Sequence, residues 1–320
     1  MVTYVYQNQM VAQQILLNKC FTWLSDQNVT KPFLYYRIVT SYSYNMCTQS
    51  EPLLIRGVVC IEVNEMKEPV DIFLTKYVEE VTAILGDNVY GIYVYGSLAL
   101  QAFQPTSDID LLIVTKFDLT KQEVGNLRKL HKKLAKNEPL CKKIDGMYIP
   151  LIDLEKNEPC YYIHKGKVKY GEWDTNGITW WLLKHKGITL YGSLAQTLPI
   201  EATWDNVKAT LQYNLYGYWQ PKTKHLFYFW RTEDFLFAVT TMARIYASYL
   251  TDQIVSKKEA LQLMKKQSPQ QWHILFEEAQ AALSGAKLTK IPNRMTRAKL
   301  CQQFLQDAIT GRFGKAHAVT

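Results

Sequence analysis

Two repeats of apolar and polar positions run through this chain. Val89 to Tyr95 (VYGIYVY) is β-branched or aromatic at every position but Gly91, and Asp108 to Val114 (DIDLLIV) is an unbroken apolar run after its two acids; both predict buried strands. The stretch from Lys143 to Ile149 predicts a third. Apolar residues at helical spacing predict helices near Tyr77 to Leu85 and over Lys121 to Lys136, with Lys129, Lys132, Lys133 and Lys136 on the wet face of the second. From Thr203 onward the pattern is helical, with Gly217 the sole glycine before Gly285. Ahead of all this, a helical pattern over Met10 to Leu24 is followed by β-forming stretches at Phe33 to Val39 and Leu53 to Val63. The expected fold is α+β in three parts: an N-terminal extension (1–70) of unknown role, a mixed strand-and-helix domain (71–198), and a helical domain with a basic tail (199–320).

Composition narrows the class. At 320 residues and 48% hydrophobic, the chain has ample core for two or three domains. Six cysteines (20, 47, 60, 141, 160 and 301) form no C-x-x-C pair and no metal-ligand spacing, which predicts reduced thiols, no zinc and a cytoplasmic protein. The N-terminus lacks a basic segment followed by an apolar one, and no run of eighteen apolar residues occurs, so neither secretion nor membrane spanning is expected. The net charge of +8 is concentrated late: residues 286–320 hold seven Lys/Arg against Asp307 alone. That distribution reads as a solvated helix and terminus more than as a polyanion surface, and a nucleic-acid partner is not expected.

The chemistry sits between the first two strands. Gly96-Ser97 ends one, and Asp108-Ile109-Asp110 opens the next, eleven residues after the serine. Alternation sends Asp108 and Asp110 off the same face roughly 7 Å apart, a spacing at which two carboxylates can grip Mg²⁺. Gly96 lets backbone approach a phosphate, and Ser97 opens a short helix through Leu98, Ala99 and Leu100 whose free N–H groups favour an anion. A hydroxyl attacking a phosphate must lose its proton, so a third carboxylate is expected on a neighbouring strand: Asp145, with Asp153 as the alternative. Two further features are weaker. Tyr191-Gly192-Ser193 repeats the tripeptide with no following D-x-D and is expected to be a loop. The aromatics Tyr213, Tyr216, Tyr218, Trp219, Phe227, Tyr228, Phe229 and Trp230 fit a helical core better than an acceptor-binding wall.

The segment YGSLALQAFQPTSDIDLLIV, Tyr95 to Val114, resembles the active-site signature of the DNA polymerase β-type nucleotidyltransferases, and most closely that of the streptomycin/spectinomycin adenylyltransferases. The resemblance extends over residues 75–285. It implies a nucleotidyltransferase domain followed by a helical bundle, ATP as co-substrate and Mg²⁺ as cofactor. Residue by residue, it implies nucleotide contacts at Gly96, Ser97 and Ser107, metal ligands at Asp108 and Asp110, and an acceptor-lining tryptophan at Trp173. It also implies an interface acid at Asp234, with Arg244 and Lys257, ten and thirteen residues further on in turn, at the ATP phosphates.

Departures fall on the acceptor side. Phe237 stands where the family has an acceptor-contacting asparagine and Leu283 where it has a nucleotide-contacting tyrosine, while an ungapped count puts Tyr148 in place of its strand glutamate. The expected activity is transfer of AMP to a hydroxyl of a small molecule, by similarity an aminoglycoside-type drug, with Glu172, Glu233 and Asp234 as acids for a cationic acceptor. The alternatives are a protein or RNA acceptor and a non-catalytic ATP-binding module.

Overall fold

The computed structural model describes residues 68–311 apart from Pro105 and Asp174. The helical and β-forming stretches read at Met10 to Leu24, Phe33 to Val39 and Leu53 to Val63 lie outside the described residues. Elements follow in the order α1 (Glu68–Leu85), β1 (Val89–Val94), a single turn α2 (Gly96–Ala99), β2 (Ile109–Thr115), α3 (Lys121–Asn137), β3 (Ile144–Pro150), the hairpin β4 (Cys160–His164) and β5 (Lys167–Gly171), α4 (Gly177–Lys186) and β6 (Ile188–Gly192). The helical region then comprises α5 (Trp204–Gln212), a π-helical continuation (Tyr213–Trp219), α6 (Thr232–Thr251), α7 (Lys257–Gln267), α8 (His273–Leu283) and α9 (Arg294–Ile309).

The six strands form one sheet in the order β5-β4-β3-β2-β1-β6. Among the described residues only β2 and β3 are parallel, because α3 carries the chain back across the sheet between them; the other pairs are antiparallel. Thr120 starts α3 with a capping box, its hydroxyl accepting from the Glu123 N–H while the Glu123 carboxylate accepts from the Thr120 N–H. The lysines of α3 are exposed and Leu127, Leu130 and Leu134 are buried, as the apolar spacing predicts.

Strand alternation divides the sheet into two faces. On one, the Tyr148 hydroxyl meets those of Tyr77 and the His131 ring, three polar groups interlocked between β3, α1 and α3. On the other, Tyr93, Leu112, Val114, Met147 and Ile149 join a continuous core with Leu183, Leu211, Phe235, Ala243, Phe276 and Phe304 of the helices. Asp110 and Asp145 share the parity of that second set, so the acids open toward the helical region and not away from it.

Two features differ from the sequence reading. Tyr191 and Gly192 end the edge strand β6 and only Ser193 lies beyond it, because Gly192 at φ +84° lets the strand turn against the backbone of Tyr90 and Gly91. The aromatic group does not form a uniform core: Trp219 and Phe229 are buried, whereas Tyr213, Tyr216, Phe227 and Tyr228 are exposed.

Candidate active site

Three carboxylates gather at the starts of the two parallel strands. Asp110 of β2 and Asp145 of β3 are register partners, and Asp108 lies just ahead of Ile109, two residues before Asp110 on the same face. Gly146 permits this closeness, since a Cβ there would lie 2.3 Å from the Leu111 carbonyl oxygen. Burial first, and then the charges of Asp108 and Asp145, push Asp110 up to about 7, against the opposing pull of Arg244 and a hydrogen bond from the Ser97 N–H. Asp108 is also raised, by burial and by Asp145, while Lys257, Lys143 and Lys165 draw it down. Asp145 accepts a hydrogen bond from the Lys165 N–H at 2.7 Å and lies 3.4 Å from His164 Nδ1.

The turn between β1 and α2 seats these acids. Gly96 has φ +64°, and a side chain there would place its Cβ 1.8 Å from Asp110 Oδ2, so the aspartate occupies the space that glycine leaves. The neighbouring Ser97 hydroxyl is buried with no hydrogen-bond partner. A buried hydroxyl in that condition is costly unless a ligand completes it. Ser107, further along the loop, is already engaged: its Oγ accepts from the Gln104 N–H at 3.0 Å, and its carbonyl lies 3.4 Å from Lys143 Nζ.

Cations arrive from the helical region. Arg244, midway along α6, donates through Nε to the Val255 carbonyl at 3.2 Å; burial lowers its pKa and Asp110 raises it. Lys257 is the first residue of α7, placed there by a capping box between Ser256 and Glu259. Burial and the Arg244 guanidinium lower its pKa, and Asp108 and Asp110 oppose them. Two cations that repel each other and are both attracted to Asp110 mark a place suited to further negative charge.

The remaining candidates divide. The Trp173 ring stacks on Tyr162 at 4.7 Å and lies 6.0 Å from that of His164. Asp234 is in the first turn of α6 with Arg231 at 3.9 Å. Helical spacing puts Asp234, Phe237 and Arg244 on one side of α6, and Phe237 is 51% exposed with Tyr218 edge-on and Trp219 tilted against it. Leu283, at the end of α8, packs against the core. The structure separates Asp153, the alternative base, from the site, since it lies beyond the far end of β3 and pairs with Lys156 at 3.1 Å; Tyr148, which the ungapped count aligned with the family's glutamate, points to the opposite face of the sheet. His164, Lys165 and Lys143 were missed by the sequence reading; the first two lie at the β4–β5 hairpin, whose strands gave no apolar pattern.

The donor set fits a hard divalent cation: three carboxylates with no thiol or imidazole among them, of which Asp110 and Asp108 are raised by burial and by neighbouring acids. Among the described residues no three His, Cys, Asp or Glu side chains stand close enough together to hold a metal ion by themselves. An open site of this kind suits an ion that keeps waters and substrate oxygens in its shell.

Residues 74–172 match the family model for the nucleotidyltransferase domain, and residues 226–308 that for the aminoglycoside adenylyltransferase C-terminal domain. Over 241 residues the chain is 22% identical to the spectinomycin 9-adenylyltransferase of Campylobacter jejuni, a span covering 70% of this chain and 88% of that one. The crystal structure of spectinomycin adenyltransferase AAD(9) from Enterococcus faecialis with ATP and spectinomycin shares the fold, with a TM-score of 0.58 at 18% identity over 74% of this chain and 98% of that one. Among the described residues no helix is long and apolar enough to cross a membrane. A nucleotidyltransferase module bearing the acids, followed by the C-terminal module bearing the cations, places this chain in the aminoglycoside adenylyltransferase family of enzymes.

Proposed function

We propose that this enzyme transfers AMP from ATP to a hydroxyl group of an aminoglycoside-type antibiotic, with Mg²⁺ as cofactor. The observation that carries the reading is the in-register pair Asp110 and Asp145, flanked by Asp108 and the Gly96-Ser97 turn, with Arg244 and Lys257 facing the acids from the helices. The named activity of the Campylobacter relative, and the ATP and spectinomycin bound to the Enterococcus protein, support the same donor and acceptor class.

Each residue then has a task. Asp145 takes the proton of the acceptor hydroxyl, whose oxygen attacks the α-phosphorus; the bond to the bridging oxygen of the β-phosphate breaks, and pyrophosphate leaves. Arg244 and Lys257 hold the phosphates and neutralise charge on the departing pyrophosphate. The unpartnered Ser97 hydroxyl donates to a phosphate oxygen, and Ser107 sits further along the same loop as a second nucleotide contact. Asp108 and Asp110 would hold Mg²⁺, which supplies charge neutralisation and orientation of the triphosphate. Trp173 and Asp234 bound the acceptor. The metal ligands, the base and the Gly96-Ser97 loop fall on residues 71–198, while residues 199–320 supply the phosphate-holding cations and Asp234.

Purified protein with α-labelled ATP, Mg²⁺ and either spectinomycin or streptomycin is expected to yield labelled drug and free pyrophosphate. The Asp110→Asn protein should fold and make neither. Absence of label in both drugs, with wild-type protein that binds ATP, would overturn the acceptor assignment; label on protein or RNA of a lysate would move it to a macromolecule.

A further inference from the structure

A second concave site lies at the opposite end of the sheet. A cleft of about 300 Å³ opens where β2 and β3 end, bounded by Thr115, Ile149, Tyr161, Tyr170 and Trp173. Ile149 lies four residues beyond Asp145 on β3, so the cleft is roughly 13 Å along the strand from the carboxylates of the transfer site. Its volume suits a single ring or a short branched chain.

Three observations define what it would hold. The first is charge: Asp118, Asp153 and Glu158 border the cleft against Lys156 alone, and Lys156 is committed to Asp153 at 3.1 Å. A locally acidic hollow on a chain of net charge +8 selects cations from solution. The second is aromatic surface: Tyr161 and Tyr170 lie 4.9 Å apart with Tyr170 61% exposed, and Trp173 also lines the cleft, a surface that attracts a cation through its ring faces. The third is Thr115. It is 1% exposed, it lines the cleft, and its hydroxyl has no hydrogen-bond partner. The neighbouring Thr175 hydroxyl, by contrast, donates to Asn157 at 3.0 Å.

We infer that this cleft is a binding site for a small primary or secondary ammonium compound. Thr115 Oγ accepts a hydrogen bond from the ammonium N–H, the tyrosine and tryptophan rings flank the apolar body, and Asp118 and Glu158 supply the compensating charge. The hydroxyl distinguishes this class from a quaternary ammonium, which has no N–H to give it. The cleft shares Trp173 with the proposed acceptor contacts, but amine binding requires no nucleotide and no transfer step, so its failure is distinguishable from failure of the proposed reaction.

Cyclohexylammonium is the probe, with cyclohexanol as its neutral counterpart and trimethylcyclohexylammonium as its quaternary one, each titrated into the full-length protein without ATP and followed by ligand-observed NMR. The expected result is saturable binding of cyclohexylammonium, with the other two at least about fivefold weaker, the value of one hydrogen bond or cation–π contact. Thr115→Val and Glu158→Gln should each weaken it about fivefold, and Thr115→Ser should retain it. Absence of saturable amine binding, equal binding of cyclohexanol, or undiminished binding by Thr115→Val overturns the inference. Glu158→Gln, a surface change, keeps the test decisive should Thr115→Val fail to fold.

Discussion

Replacing Gly96 by alanine tests the central geometry, and Gly86 supplies its control. Both glycines are left-handed, at φ +64° and +52°, and both lie in unit turns next to β1. An added Cβ costs each of them roughly 1–2 kcal/mol of backbone strain. For a protein of this size that corresponds to a fall in melting temperature of about 2–8 °C. The two sites differ in what the new methyl group meets. At Gly86 nothing lies within 4 Å, whereas at Gly96 the Cβ would be 1.8 Å from Asp110 Oδ2. Ordinary contact begins near 3.4 Å, so the Asp110 carboxylate or the turn itself must move by more than an ångström. Displacement on that scale costs about 10²-fold in a reaction that depends on positioned groups. Gly86→Ala should therefore melt lower with kcat/KM within about threefold of the wild type, and Gly96→Ala should lose at least about 10²-fold in kcat/KM. Pyrophosphate release measures the rate and circular dichroism the melting. A Gly96→Ala enzyme as active as Gly86→Ala would refute the claim that Asp110 fills the glycine's vacated space as part of the working site.

Asp145→Asn should bind ATP normally and lower kcat by about 10²–10⁴-fold, the usual contribution of a general base; an unchanged kcat would remove Asp145 from that role. Lys257→Met should lower kcat/KM for ATP by about tenfold or more while leaving the fold intact by circular dichroism, and an unaffected kcat/KM would place its ammonium away from the phosphates. Burial holds the His131 ring at about 4, below its unfolded value, so this residue makes folding weaker as pH falls from about 6.5 toward 4, approaching about 3 kcal/mol. Urea unfolding of wild type and His131→Gln across that range checks it: the mutant should show a flatter acid limb, and limbs of equal slope would contradict the buried neutral imidazole.

The sequence displayed the central strands because burial on both faces leaves an apolar signature. Every residue of β2 except Asp110 is buried, and that exception is the functional one. The outer strands carried no such signature: β4 (CYYIH) and β5 (KVKYG) each bury one residue, Ile163 and Val168, and β6 buries none fully. Strands at a sheet margin need little apolar surface, so alternation could not reveal them or place His164 beside Asp145. In the helical region, spacing identified the helices but not which aromatics face inward. Trp219 is buried and Tyr213 exposed in the same π-helical segment, where the changed periodicity rotates side chains away from the 3.6-residue pattern. Arg244 and Lys257 could be singled out only through the resemblance, since each alone looks like any basic residue on a helix.

The parallel pairing of β2 with β3 also sets what mutation can and cannot alter over long times. None of the three acids resides in the crossover from Lys116 to Lys143, so that segment is free to lengthen, shorten or exchange its helix wholesale. Inside β3 the latitude vanishes: inserting or deleting a single residue between Asp145 and Tyr148 would send the Asp145 carboxylate through to the Tyr148 side and turn a greasy neighbour toward Asp110. Lineages of this protein should thus accumulate gaps in the connection and almost none in the strand.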